Sequence, residues 1–537
     1  MNILYKSHPF LSHTLSRFKK KEFVIVSFTE PKTSKPETSN SVKMVIPFLL
    51  KSATDSGLID ELTHLLFTSG YDVYLFHEKK HKIYRLFDNP FTFGELMDGE
   101  TKGSLVGIPK DQSLFVAYFS HMSSMSGAEL SMFNQIDDLR YTGVLSHVVT
   151  PQRGLLTEKL RRRGIPYDVV SYHWWGNTSK PTALQMSLSL KEVSAYREEL
   201  VKINPHVIYT NTLCIPWGAY SALLLHKPHV WHIKEFGIKD HGFQFIFDVS
   251  EIKKIIGQTS NLILFNSHAV EKEFLYGTPN SVLTKTLYYN VRIDKKRRKE
   301  TIPDIFKIPN SFRLILVGNV YPAKGQMEAL KAVAELNKRS ISVELAVVGQ
   351  LNTDSAFYKE LVAYKKQNDL TNVYFYGYTP HPHAYMRQAD AVLVCSQYEA
   401  FGKVTVEAML LGKCVIGANT GGTKEIIQEG KNGFLYKQGS PLDLAQKILR
   451  IVKDRDLHRK MGTSASAYAL KHFTNNSYPE LLMKYLLNLK NTKQIPKEPF
   501  VEYVSKLFAV SFQTSSPKPT RLQKVLTRLR VYERQLN

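Results

Sequence analysis

Cysteine is scarce in this chain: Cys214, Cys395 and Cys414 are its three, far apart and without the paired spacing of a metal or redox motif. That argues against a disulfide scaffold, and the apolar neighbours of Cys395 and Cys414 predict buried, reduced thiols suited to a reducing cytosol. Long apolar runs are also missing, since no stretch approaches the roughly 20 residues of a membrane span. The opening MNILYKSHPFLSHTLSRFKKKEF lacks the apolar core of a signal peptide. The expected localisation is therefore cytoplasmic, with any membrane contact peripheral and on the inner face. Acidic residues are under-represented, 48 Asp and Glu against 71 Lys and Arg, which leaves a formal charge of +23. Such an excess predicts attraction to an anionic surface or a phosphate-bearing group. No nucleic-acid motif accompanies it, so no nucleic-acid partner is expected.

With 537 residues the chain is too long for one core. Residues 1–112 read as an α+β accessory segment of unknown role, with strand-like runs at Phe23–Phe28, Met44–Leu50 and Tyr71–Phe76 and a loop rich in Ser, Thr and Pro. From Leu114 the texture changes. LFVAYFS, VLSHVVT, PYDVVSY, HVIYTN and PHVWHI alternate with helical stretches, one of them closed by Gly164, and this rhythm predicts an α/β unit with a parallel sheet over residues 113–300. The run KKRRK at Lys295–Lys299 predicts an exposed linker. A second unit over 301–490 opens with the strand and helix RLILVGNVYPAKGQMEALKAV. The tail 491–537 ends in a basic amphipathic helix in which Leu522, Val525, Leu526 and Leu529 share a face, a pattern for a membrane interface or for the protein's own surface.

The most informative stretch is Ala391–Lys413, AVLVCSQYEAFGKVTVEAMLLGK. A buried strand runs into a polar loop, and a helix of period 3.6 begins near Val404. Glu399 stands in the loop and Glu407 in the helix, with Phe401, Gly402 and Lys403 between them. The carboxyl end of a parallel strand is where open α/β sheets bind ligands, and a helix start favours phosphate. Lys324 just before a helix, beside Gly318, predicts a second anion-binding point. His381 and His383 lack a third ligand, and Asp454 and Asp456 lie in charged helical sequence, so no metal site is expected.

A Glu, seven residues and a second Glu, with Phe-Gly after the first, resembles the signature of retaining glycosyltransferase family 4 in the GT-B superfold, two Rossmann-like domains facing a cleft. Four further segments appear in the family's order: the S-G-A-E loop around Gly127, the strand V-W-H-I-K-E-F with His232, the glycine-lysine turn, and G-G-x-x-E from Gly421 to Glu425. The resemblance implies that Glu399 bonds the donor sugar and Glu407 the nucleotide ribose. It also implies that His232 is the interdomain histidine, and that Lys324 and the main chain at Gly318, Phe401, Gly402 and Lys403 face the diphosphate. Main chain at Gly422 and Thr423 would approach the donor, and Glu425 would cap or orient its own helix start. Where the family carries an arginine after the glycine, this chain has Asn319. The last helix of the family commonly crosses back to the first domain.

The implied activity is metal-independent transfer of a sugar from a nucleotide diphosphate donor, a UDP-sugar first among them, needing no cofactor. The acceptor would be a cell-surface polysaccharide, a glycolipid or a protein, bound mainly by the first domain. The alternative is a non-catalytic subunit or chaperone of a partner glycosyltransferase on the same fold.

Overall fold

The computed structural model describes residues 114–139, 144–163, 165–276, 282–293, 302–474 and 477–492, together with four strands nearer the N-terminus. The expected strand Phe23–Phe28, the helix-closing Gly164, the Lys295–Lys299 linker and the amphipathic tail lie outside the described residues. Within the accessory segment β1 (Met44–Leu50), β2 (Tyr71–His77), β3 (Lys82–Arg85) and β4 (Thr101–Pro109) form an antiparallel sheet of order β1-β4-β2-β3.

The first large sheet is built from β5 (Leu114–Ser120), β6 (Val144–Thr150), β7 (Tyr167–Val169), β9 (Val207–Asn211), β10 (His229–Ile233), β12 (Leu262–Phe265) and β13 (Leu283–Thr286). Its order is β13-β12-β10-β9-β5-β6-β7, and every pair is parallel. Helices cover both faces, so β9, β10 and β12 are buried along their whole length. A small antiparallel pair, β8 (Gly176–Asn177) with β11 (Gln244–Phe245), braces the rim.

The second sheet contains β14 (Phe312–Val317), β15 (Val343–Val348), β16 (Val373–Tyr376), β17 (Ala391–Val394), β18 (Cys414–Ala418) and β19 (Phe434–Tyr436), all parallel in the order β16-β15-β14-β17-β18-β19. In both sheets the strand order reverses beside the first strand, between β5 and β9 in one and between β14 and β17 in the other. A crevice opens outside the carboxyl ends at such a reversal, so the topology alone puts two binding edges opposite each other.

The two domains share a hydrophobic core. Phe401 of the second domain packs on Tyr288 and Tyr289 of the first and on Phe473, with ring centroids 6.2, 5.0 and 6.0 Å apart. The helix Ser477–Leu489 then returns to the first domain, where Tyr478 donates a 2.9 Å hydrogen bond to Gln135. Leu482 and Leu486 are fully buried in a cluster with Met132, Phe133 and Ile136, and each such side chain contributes about 1.5–3 kcal/mol. The three cysteines are buried and free. Among the described residues no helix is long and apolar enough to cross a membrane.

Candidate functional site

A cavity of about 450 Å³ lies between the domains, and its walls come from the loops that leave both strand reversals. From the first domain, His121 follows β5 directly, and Thr212 follows β9. Thr212 holds a φ of +86°, a left-handed conformation that a β-branched residue rarely adopts, and it keeps this strain at the cavity wall. From the second domain come Lys324, Glu399, Phe401, Gly402 and Lys403.

Lys324 ends a short 3-10 turn, Pro322–Lys324, that the chain leaves through Gly325 at φ +71°. A Cβ on Gly325 would stand 2.1 Å from the Cys395 carbonyl, so glycine is required for the turn to lie against β17. This brings the Lys324 ammonium to 2.9 Å from the Glu399 carboxylate. Burial opposes both charges, but the pairing outweighs it. Lys324 is held above its ordinary pKa, and Glu399, aided by Ser396 and His241, below the usual carboxylate range. Gly402, at φ +98°, precedes the helix Lys403–Leu410, whose first-turn amides have no partner within the helix, and Gly402 and Lys403 line the cavity. Glu407 lies in the second turn of that helix, buried, with Lys403 Nζ at 3.4 Å and His383 Nε2 at 3.6 Å. Burial raises its pKa, but these two neighbours lower it further and leave the carboxyl below its ordinary value.

Of the residues singled out from sequence, Gly127, Lys324, Glu399, Phe401, Gly402 and Lys403 line this one cavity. A Cβ on Gly127 would meet nothing within 4 Å, because the position faces open space at the start of its helix. Other positions depart from expectation. The Gly318 amide donates to the Val348 carbonyl at 2.9 Å and the Gly422 amide to the Glu399 carbonyl at 2.6 Å, so neither N–H is left for a diphosphate. Asn319 is exposed and outside the lining, and its carbonyl accepts from Gln326. Thr423 is buried beneath the cavity wall. His381 stands at the N-cap and His383 in the first turn of a helix, Pro382–Gln388.

His232 is the largest correction of geometry. It sits inside β10, paired in register with Asn211 and Leu264, and is fully buried rather than facing the cleft. Its Nδ1 bonds Tyr209 Oη at 2.5 Å, and burial, with Lys234 nearby, holds its pKa well below the ordinary value, so the ring is neutral. Glu425 does not serve its own helix start either. It sits near the end of the helix Gly421–Ile426 and reaches into the first domain, where it accepts from the His268 and Ala269 amides at 3.0 and 2.5 Å and from Tyr288 Oη at 2.7 Å. It therefore caps the N-terminus of the helix His268–Leu275 across the domain boundary.

The sequence places Lys234 and Glu235 at the carboxyl end of V-W-H-I-K-E-F, with Lys234 there to attract an anionic group, but it gives no reading of the wall residue His121. His121 Nδ1 lies 2.8 Å from the buried Glu129 carboxylate, which Ser126 also bonds. Burial raises the Glu129 pKa, but His121 and Ser126 more than offset this and leave it lowered. A histidine placed first after the opening strand of a parallel sheet was the available signal. Lys234 and Glu235 are both buried in the cavity wall. Burial brings the Lys234 ammonium down to about 7 and pushes the Glu235 carboxyl up to about 7. Lys234 donates to Ser131 Oγ at 2.8 Å, and Glu235 accepts from the Lys234 amide at 3.2 Å.

These two shifts fix the sign of a pH effect. Below about 7 Lys234 is charged and Glu235 neutral, and above it Lys234 is neutral and Glu235 charged, so the pair passes from one positive to one negative charge. Affinity for an anionic ligand in the cavity is expected to fall about threefold to tenfold from pH 6 to pH 8. Lys234→Met should remove one of the two charge changes and leave a shallower profile, set by Glu235, in a titration with inorganic pyrophosphate. A profile equally steep in the variant would assign the effect elsewhere.

Residues 298–468 match the family of glycosyl transferases group 1. An uncharacterized glycosyltransferase of Methanocaldococcus jannaschii is 26% identical over 268 residues, 48% of this chain and 68% of that protein. The N-acetyl-alpha-D-glucosaminyl L-malate synthase of Bacillus anthracis is 25% identical over 45% of this chain, which spans 63% of that relative's length. Among solved structures, Anabaena HepE in complex with UDP and glucose superposes with a TM-score of 0.58 at 24% identity, covering 70% of this chain and all of that one. WaaG, a glycosyltransferase involved in lipopolysaccharide biosynthesis, superposes with a TM-score of 0.53 at 16% identity, covering 69% of this chain and 99% of that one. The fold is thus GT-B, two Rossmann-like domains around a cleft, and residues 298–468 are similar to the glycosyl transferases group 1.

Proposed function

We propose that the protein is a retaining glycosyltransferase that takes a sugar from a nucleotide diphosphate donor, a UDP-sugar in the first instance, and passes it to an acceptor held mainly by the first domain. One observation carries this reading: the Lys324–Glu399 pair and the helix start at Gly402 and Lys403 converge on a single cavity between the two strand reversals. Departure of the nucleotide leaves negative charge on the diphosphate, which the Lys324 ammonium and the first-turn amides are placed to stabilise. No metal or other cofactor is needed for that step. Glu399 is assigned to hydroxyls of the donor sugar and Glu407 to the ribose. HepE, solved with UDP and glucose, supports UDP as the first nucleotide to try. A cytoplasmic enzyme bound peripherally to an anionic inner leaflet would suit the +23 charge.

The test is a screen of nucleotide sugars for nucleotide release, run with the wild type and Glu407→Ala beside a direct binding measurement. Wild type should release nucleotide from one donor. Glu407→Ala should bind that donor about 10- to 100-fold more weakly, since the ribose hydroxyls would lose a charged acceptor. Unchanged affinity would remove Glu407 from the ribose. Binding without any turnover would favour a subunit that recruits a partner transferase.

A further inference from the structure

A second cavity of about 380 Å³ opens on the first domain and meets the cleft along a shared wall made of His121, Met122, Trp174 and Asn177. Resting on the transferase reading, we propose that this groove is the acceptor site and that its ligand is an uncharged saccharide. The volume falls in the range of small-ligand pockets, about 300–1,000 Å³.

The chemistry of the lining separates a sugar from an anion. None of the twelve residues that form it is Lys, Arg, Asp or Glu, although the chain as a whole carries +23. A phosphate or carboxylate ligand calls for guanidinium, ammonium or a cluster of amides. Here the side-chain polarity comes from two histidines, His121 facing the Glu129 carboxylate and His173 bonded to Ser189 Oγ, and from amides and hydroxyls such as Gln152, Gln185, Ser124 and Ser179. Amides that both donate and accept match the alternating needs of vicinal hydroxyls. Tyr172 donates to the Ser120 and Val149 carbonyls, and this fixes the floor.

Trp174 supplies the apolar contact. It is partly exposed, and its indole N–H donates to the His121 carbonyl at 2.6 Å, so its polar edge is occupied and its ring is held in place. The ring also packs against His121, with centroids 4.9 Å apart. An indole face carries the negative side of a quadrupole, and the C–H face of a pyranose is apolar and weakly positive, so the two stack. Because Trp174 and His121 belong to both cavities, a saccharide on the ring places its end at the cleft beside the His121–Glu129 pair.

The experiment uses the full chain on an array of neutral hexose and N-acetylhexosamine oligosaccharides, uronic-acid oligosaccharides and poly(glycerol phosphate), with no donor added. The expected result is retention on neutral glycans that persists at about 500 mM salt, where surface electrostatics are screened. Affinity should fall at least tenfold in Trp174→Ala and in Ser179→Trp, which fills the groove from an exposed loop. With the donor identified by nucleotide release, the same two variants should lower the ratio of transfer to hydrolysis at least tenfold. Retention on anionic polymers alone, or on neutral glycans unaffected by both variants, would overturn the proposal. Nucleotide release without neutral-glycan binding removes this inference and leaves the transferase reading standing. Glycan binding without release of any nucleotide does the reverse.

Discussion

Lys324→Met is expected to lower the rate of nucleotide release from the donor by about 100- to 1,000-fold, the loss seen when one preorganised charge stabiliser leaves a transferase or hydrolase site. Lys324 is the cation that the Gly325 turn places beside Glu399 in the cavity between the domains. Methionine keeps most of the side-chain volume but neither the charge nor the three donors. Glu399→Gln should also fall steeply, since the amide can still bond a sugar hydroxyl but no longer opposes the ammonium. Their effects should not add, because each removes a partner of the other, and the double variant should lie within about tenfold of the worse single one. Single-turnover measurements with circular dichroism on each protein decide the matter. Full activity in Lys324→Met would show that the diphosphate is neutralised elsewhere.

The second large effect is purely steric. In Gly422→Ala the new Cβ would fall 2.3 Å from the Phe401 carbonyl oxygen and 2.6 Å from its carbon, both main-chain atoms that no rotamer change can move. The loop carrying Glu399 and Phe401 must then shift, and with it the 2.6 Å bond from the Gly422 amide to the Glu399 carbonyl. Overpacking of this kind costs about 1–3 kcal/mol. A misplacement of about 1 Å in the reacting groups costs about a hundredfold in rate. Turnover in Gly422→Ala is therefore expected to drop about a hundredfold, with a lower thermal midpoint. Wild-type rates would mean that the loop carries no positioning role.

Much of this architecture is legible in the chain because burial writes it there. β9 and β10 are covered on both faces, so all of VIYTN and HVWHI is buried, and the apolar residues Val207, Ile208, Val230, Trp231 and Ile233 mark them as interior strands. The site is legible at Glu399, Gly402 and Lys403 because strand, loop and helix follow one another within a few residues. His232 is placed at the cleft by the resemblance although it lies inside the strand: β10 runs to Ile233, so the first side chain past its end is Lys234, two residues on. Glu425 was misread for a different reason. Its partners, His268 and Ala269, stand more than 150 residues earlier, and no local pattern records a contact between domains. The His121–Glu129 pair lay within eight residues, yet its burial comes from the surrounding fold and not from either side chain.

The helix Ser477–Leu489 has a consequence for how the molecule divides. Its apolar face covers Met132, Phe133 and Ile136, so the last stretch of the second unit in sequence completes the core of the first in space. The second domain is in effect an insertion between the body of the first domain and its closing helix. Proteolysis near residue 300 should therefore leave two fragments that stay associated, and residues 113–300 expressed alone should precipitate unless the closing helix is supplied in trans.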